Sequence, residues 1–216
     1  MGDIFREIDE ELRQERYAKL WQVYGKYVIG AAVAVVFAVA GYRGWDYYQV
    51  SARQEESARF DTAKTLLRQG RKGDAAALFA AMGETGGAGY AALARFHQAA
   101  LRADSGDAAG AISLYDSLAA DDSVTRPLRQ GAVVLSAMHA MDAAGTDRTA
   151  LAGRLEVLVK DGGPWRHSAN ELLGVLAMQS GDSATARERF KRVADDVDAP
   201  AGVRARAAEV LAVLGK

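Results

Sequence analysis

Three segments of this chain share one pattern, Gly-x-x-x-x-Ala-x-x-x-aromatic. They are GRKGDAAALF (Gly70, Ala75, Phe79), GDAAGAISLY (Gly106, Ala111, Tyr115) and GDSATARERF (Gly181, Ala186, Phe190). The first two glycines are 36 residues apart and the third lies 75 further on, which leaves room for one more copy. GTDRTALAGR supplies it in degenerate form, with Gly145 and Ala150 in place and Arg154 where the aromatic should be. A repeat of this length is a helix–turn–helix unit. Glycine permits the left-handed turn between the two helices, alanine lets them approach closely, and the aromatic fills the wedge between successive pairs. A single pair cannot bury its apolar side alone, so neighbours must stack into a solenoid.

ELLGVLAMQSGDSATARERF resembles the tetratricopeptide repeat family, with Leu173-Gly174, Gly181-Asp182, Ala186 and Phe190 in the family's order. The other copies carry Ala63, Ala99 and Met138 where the small glycine would sit. An alanine-rich helical bundle is the competing architecture. Three prolines and no β-branched alternation make the chain all-α. Punctuation predicts helices over about 49–69, 73–82, 88–104, 107–119, 124–143, 147–160, 165–179, 183–195 and 200–214. GETGGAG at 83–89 reads as a loop, and Pro127, Pro164 and Pro200 sit where a first helical turn or its approach tolerates proline.

Ahead of the repeats, YVIGAAVAVVFAVAGY, residues 27–42, holds no charge. Its helix rises about 24 Å, short of the ~30 Å hydrocarbon core, and the flanks extend it. Trp21 and Tyr24 precede it and Trp45, Tyr47 and Tyr48 follow, a bracketing that suits headgroup-level anchoring. Lys26 and Arg43 can reach the interface along their apolar stems. Ala38-Val39-Ala40 before Gly41 resembles a signal-peptidase site, and a buried core helix is a second alternative. Yet the leader is 26 residues long and carries Asp3, Glu7, Asp9, Glu10, Glu11 and Glu15, whereas signal leaders are short and basic. The expectation is an uncleaved single-pass transmembrane helix over 27–45. It would separate a cytoplasmic helical segment, 1–26, from a tetratricopeptide-like domain of about four helix pairs, 46–216. The leader reads as a helix capped by Asp3, with Ile4, Phe5, Ile8 and Leu12 on one face and Tyr17, Leu20, Trp21 and Tyr24 on another.

Orientation rests on a slight excess of basic residues near the span's N-terminal side. Arg13, Arg16, Lys19 and Lys26 stand there, against Arg43, Arg53 and Arg59 beyond. The expected placement is a bacterial inner membrane, with the N-terminus cytoplasmic and the larger domain periplasmic. Six basic and six acidic residues lie up to Arg43, leaving 21 against 22 of the chain's 27 and 28. Neither part has the positive excess that nucleic acid demands. With no cysteine there are no disulfides, thiolate metal sites or cysteine nucleophiles.

Chemistry is equally sparse. His97, His139 and His167 have no second histidine or carboxylate at ligand spacing beyond Asp142, three after His139. GETGGAG lacks the lysine and strand-to-helix context of a phosphate cradle. Ser168 and Ser180 lack a nearby base or an elbow motif. The chain is expected to have no catalytic, cofactor or metal residues, no small-molecule substrate and no enzymatic activity. Tyr90 and Trp165 begin helices beside loops and read as core residues or as partner contacts.

With GYRGWDYYQVSARQ, residues 41–54, as the most telling local element, the whole chain resembles the YfgM-like ancillary subunits of the bacterial Sec translocon. That resemblance implies association with SecYEG and with a membrane-anchored periplasmic chaperone similar to a prolyl isomerase, in handing over newly translocated proteins. The alternative is a scaffold for another envelope assembly, in division or outer-membrane biogenesis. If the run anchors the chain, alkaline carbonate leaves the full-length protein in the membrane pellet. Release, or a mature chain lacking its first forty residues, removes the anchor.

Overall fold

The computed structural model describes residues 2–143 and 145–215, with side chains from Trp21 onward except those of residues 28, 32 and 88. Among these residues there are nine helices and no strand. They are α1 (Gly2–Arg68), α2 (Lys72–Thr85), α3 (Ala88–Asp104), α4 (Ala108–Ala119), α5 (Arg126–Ala140), α6 (Arg148–Lys160), α7 (Arg166–Gln179), α8 (Ser183–Ala194) and α9 (Ala201–Leu214). The chain divides into two compact units, Met1–Glu55 and Glu56–Lys216.

The first unit is formed by α1 alone, whose last residues belong to the second unit. The leader, the apolar run and the helix expected at 49–69 form one element, because no proline precedes Pro127 and isolated glycines weaken a helix without breaking it. Asp3 falls inside this helix, so its expected capping position is not at the helix boundary. The two leader faces proposed from Ile4 to Leu20 lie outside the described side chains. One stretch within Trp21–Arg68 is long and apolar enough to cross a membrane, and almost none of it is buried.

The second unit stacks α2 to α9 each against the next in sequence, and the end of α1 shares a buried cluster with α2 and α3. Gly70, Gly106, Gly145 and Gly181 turn the chain with φ of 77°, 88°, 79° and 80°, a region that costs a side chain strain. After two of them, Asp107 and Asp182 cap the following helix by accepting the Gly110 and Thr185 N–H groups.

Packing repeats with the turns. Ala63, Ala99, Ala137 and Gly174 on the odd-numbered helices share buried clusters or direct contact with Phe79, Tyr115, Leu155 and Phe190 on the even-numbered helices. At Gly174 the approach is closest. A Cβ there would lie 2.9 Å from the Phe190 ring, so only glycine fits. From small residue to bulky residue the spacing is 16, 16, 18 and 16.

The odd value corrects the sequence reading of the third copy. Ala137, fully buried, holds the small position, and Met138 is exposed. The next cap is Asp147, two residues later than the pattern requires, and it accepts the Thr149 and Ala150 N–H groups. Ala150 therefore faces solvent, while Leu151 and Leu155 are buried where alanine and the aromatic should be. Arg154 is left at the surface, where its guanidinium meets the Asp116 carboxylate at 2.6 Å.

Three boundaries also differ. GETGGAG is largely helical, because α2 continues to Thr85 and α3 begins at Ala88, so only Gly86 and Gly87 link them. The Gly86 N–H bonds back to the Met82 carbonyl, and Gly87 donates to Glu56 of α1. Helix α5 covers Arg126–Ala140, shorter at both ends than 124–143.

The register shift predicts an asymmetry between neighbours. Leu155→Ala should cost about 2–5 kcal/mol of folding free energy by opening a cavity. Arg154→Ala, losing a half-exposed ion pair, should cost about 1 kcal/mol or less. Denaturant unfolding of the two variants measures the difference.

Candidate functional site

Odd- and even-numbered helices of the second unit pack differently. α5 touches α7 and α7 touches α9 directly, whereas no two even-numbered helices approach comparably. The even-numbered helices are linked by long arginines instead. Arg154 of α6 reaches Asp116 of α4, which also accepts the buried Ser136 hydroxyl at 2.6 Å. Arg189 of α8 pairs with Glu156 of α6 and donates to the buried Asn170 amide oxygen at 3.1 Å. From α4 to α9, backbone proximity on one side and arginine spacers on the other make the odd-numbered helices the tighter layer.

That layer carries exposed apolar side chains. Leu93 on α3, Met138 on α5 and Met178 on α7 are 38 %, 44 % and 41 % exposed. Measured from the buried small residue of each helix they stand at −6, +1 and +4. At about 100° per residue, these positions lie within an arc of about 80°. They therefore occupy one face of their helices. Polar groups of these helices are engaged within the fold: Arg206 of α9 forms a bidentate pair with Glu171 of α7 at 2.6 and 2.8 Å. Gln179 of α7 donates to Asp142 beyond α5 at 3.2 Å. Methionine adapts its shape to varied apolar partners, so such a face suits loose recognition.

Two grooves lie between an even-numbered helix and the odd-numbered helix that follows. One, of about 370 Å³, is lined by Lys72, Gly73 and Ala76 of α2 and by Leu101 and Ser105 at the end of α3. The other, of about 330 Å³, is lined by Arg148, Thr149 and Ala152 of α6 and by Leu176 and Ser180 at the end of α7. These are matching positions, the first, second and fifth residues of one helix and the last turn of the next. The second groove is lined in addition by the α8 cap Asp182 and by Thr185 and Arg189 of α8, so the match is confined to the positions on α2, α3, α6 and α7.

The histidines hold the stack together. The Phe79 ring lies flat on His97 at 4.8 Å, with Phe60 edge-on at 5.3 Å to the imidazole. Tyr115 lies flat on His139 at 5.8 Å. Desolvation, with Lys64 adding repulsion, holds His97 below its ordinary pKa. Asp142 is engaged by Gln179, and no three metal-ligating side chains converge among the described residues. Hydrogen bonds from Ser123 and Arg95 lower the Asp121 carboxyl to about 2, tying α3 to the turn before α5.

Trp165 and Tyr90 are packed rather than free. The Trp165 indole donates to the Pro127 carbonyl at 2.7 Å and covers Gly131, where a Cβ would meet the ring at 2.7 Å. Tyr90 packs against Phe60 at 5.7 Å.

The residues of α1 expected to stand at a membrane interface are exposed: Trp21, Tyr24 and Lys26 before the apolar run, and Arg43, Trp45, Tyr47 and Tyr48 after it. The Trp21 ring covers Gly25 one turn on, and the Lys26 ammonium stands 5.2 Å from the Tyr27 ring.

The description "Tetratricopeptide repeat-like domain" belongs to the family whose sequence model matches residues 18–211. The chain belongs to that family, and its class is the helical protein-interaction scaffold. No curated protein and no solved structure matches the chain.

Because Leu93, Met138 and Met178 leave much of their surface in solvent, changing all three to glutamate should alter folding by no more than about 0.5 kcal/mol per site. Thermal unfolding of the triple variant checks that the face is free of structural duty.

Proposed function

We propose that this protein is a non-enzymatic scaffold held to the bacterial inner membrane by residues 27–45, with 1–26 cytoplasmic and 46–216 periplasmic. The observation that carries the reading is the extent of the family match. It begins at residue 18 and takes in the apolar run together with the helix pairs, which supports reading the two as parts of one functional unit. Exposed aromatics on both flanks of that run, with Lys26 and Arg43 beside them, support a lipid setting for α1. The exit sequence GYRGWDYYQVSARQ, with its likeness to the YfgM-like subunits, supports a place beside the Sec channel and a membrane-anchored periplasmic chaperone.

The mechanism follows from tethering. A weak, adaptable apolar face gains little affinity alone. Confining it beside the channel exit raises its effective concentration toward emerging chains and chaperones by orders of magnitude. Leu93, Met138 and Met178 supply the apolar contact, and the internally paired charges of their helices leave little to select one partner's charge pattern.

Crosslinking the full-length protein in native membranes should yield SecYEG subunits and a prolyl isomerase-like chaperone. The chaperone adduct should weaken severalfold in the Leu93, Met138 and Met178 glutamate variant. Neighbours drawn only from division or outer-membrane biogenesis would replace the Sec reading with the second scaffold.

A further inference from the structure

His167 is the second residue of α7 and is 4 % exposed. Its Nε2 is buried without a hydrogen-bond partner, while Nδ1 faces the Asp196 carboxylate of the α8–α9 turn at 3.6 Å. Beside it, Arg166 faces Asp198 of the same turn at 3.8 Å. Buried polar atoms are nearly always satisfied, so an orphaned imidazole nitrogen at a joint between elements needs an account.

We propose that His167 makes the C-terminal end of the stack proton-sensitive: neutral, it seals the joint between α7 and the α8–α9 turn, and protonated, it forces that joint open. A neutral ring tolerates one bare acceptor at modest cost. An imidazolium carries two N–H donors, and only Nδ1–H has a carboxylate within reach. Nε2–H would be a charged donor buried with no acceptor, an arrangement that proteins relieve by moving. Its position in the first turn of α7 adds to the penalty, because a helix N-terminus disfavours positive charge.

Charges on the surrounding elements do not cancel that penalty. Arg166 on α7 opposes protonation, while Asp196 and Asp198 on the α8–α9 turn favour it. Elsewhere the charged groups packed around α7 are committed. Arg206 of α9 is held by Glu171, Arg204 of α9 by the Val197 carbonyl, and Arg189 of α8 by Glu156 of α6. From α5, Arg126 pairs with Asp161 and Arg129 with Asp122. Burial is the largest influence, and the imidazole is held below its ordinary value. With the folded value depressed, this group's contribution to stability is complete above the ordinary value of about 6.5 and is lost as pH falls below it. The opened joint would release α9, whose Val203 and Ala207 cover the Phe190 cluster, and so bare apolar surface on acidification.

Hydrogen exchange of the full chain in detergent micelles tests this at pH 7.5 and 5.5, after correction for intrinsic exchange. Protection over residues 196–214 should drop severalfold at the lower pH. His167→Gln should abolish the drop, and Asp196→Asn, which removes a group favouring protonation, should deepen it. His97, the other depressed histidine, sits among Phe60 and Phe79 far along the sequence, which keeps the readout over 196–214 specific. Should His167→Gln fail to fold, imidazole NMR titration of the wild-type chain decides. A His167 pKa at or above the ordinary value overturns the proposal, as does an unchanged exchange profile in Asp196→Asn or a persisting drop in His167→Gln.

Discussion

A small residue on one helix, with a bulky buried side chain from the next helix set against it, is the contact on which the rest of the stack depends. Ala63 with Phe79, Ala99 with Tyr115, Ala137 with Leu155 and Gly174 with Phe190 are its four instances. Each is short-range in sequence, so each pair forms from local chain. No pair buries enough alone, because a two-helix unit leaves one side of its apolar surface in water. The rings close that gap by reaching the following repeat, as when Phe79 and Tyr115 lie flat on His97 and His139. Local geometry thereby sets the interface between neighbours, and stability accumulates along the stack.

From this contact follows the division of labour between the two layers. At α5–α7 and α7–α9 the odd-numbered helices meet directly, whereas α4–α6 and α6–α8 are bridged by Arg154 and Arg189. The tighter layer then presents Leu93, Met138 and Met178 to solvent. The other layer leaves a matching groove at the first turns of α2 and α6. Exposed apolar side chains and grooves alike are by-products of how the pairs stack.

Much of the helical layout could be read from residues alone. Gly106 and Gly181, each followed by aspartate, mark turns because glycine and an N-capping carboxylate serve local needs that no tertiary contact supplies. The third copy could not be read this way. Two extra residues between Ala137 and Leu151 shift every later position, and nothing local distinguishes exposed Ala150 from buried Leu151. Only the packing of α6 on α7 makes that choice. The exposed face and His167 were obscured for the same reason: a methionine or histidine in a helix looks alike whether it faces core, solvent or a neighbouring turn.

By itself the sequence determined an uncharged run flanked by aromatics, a chain of helices and the left-handed turns between them, since these follow from side-chain polarity and backbone sterics at single positions. Tertiary structure alone decided that leucine stands in for the missing aromatic. It also decided which methionines stay exposed and where an imidazole is sealed beside a carboxylate. Those outcomes depend on which surfaces meet, and that is fixed only when distant helices exclude water together.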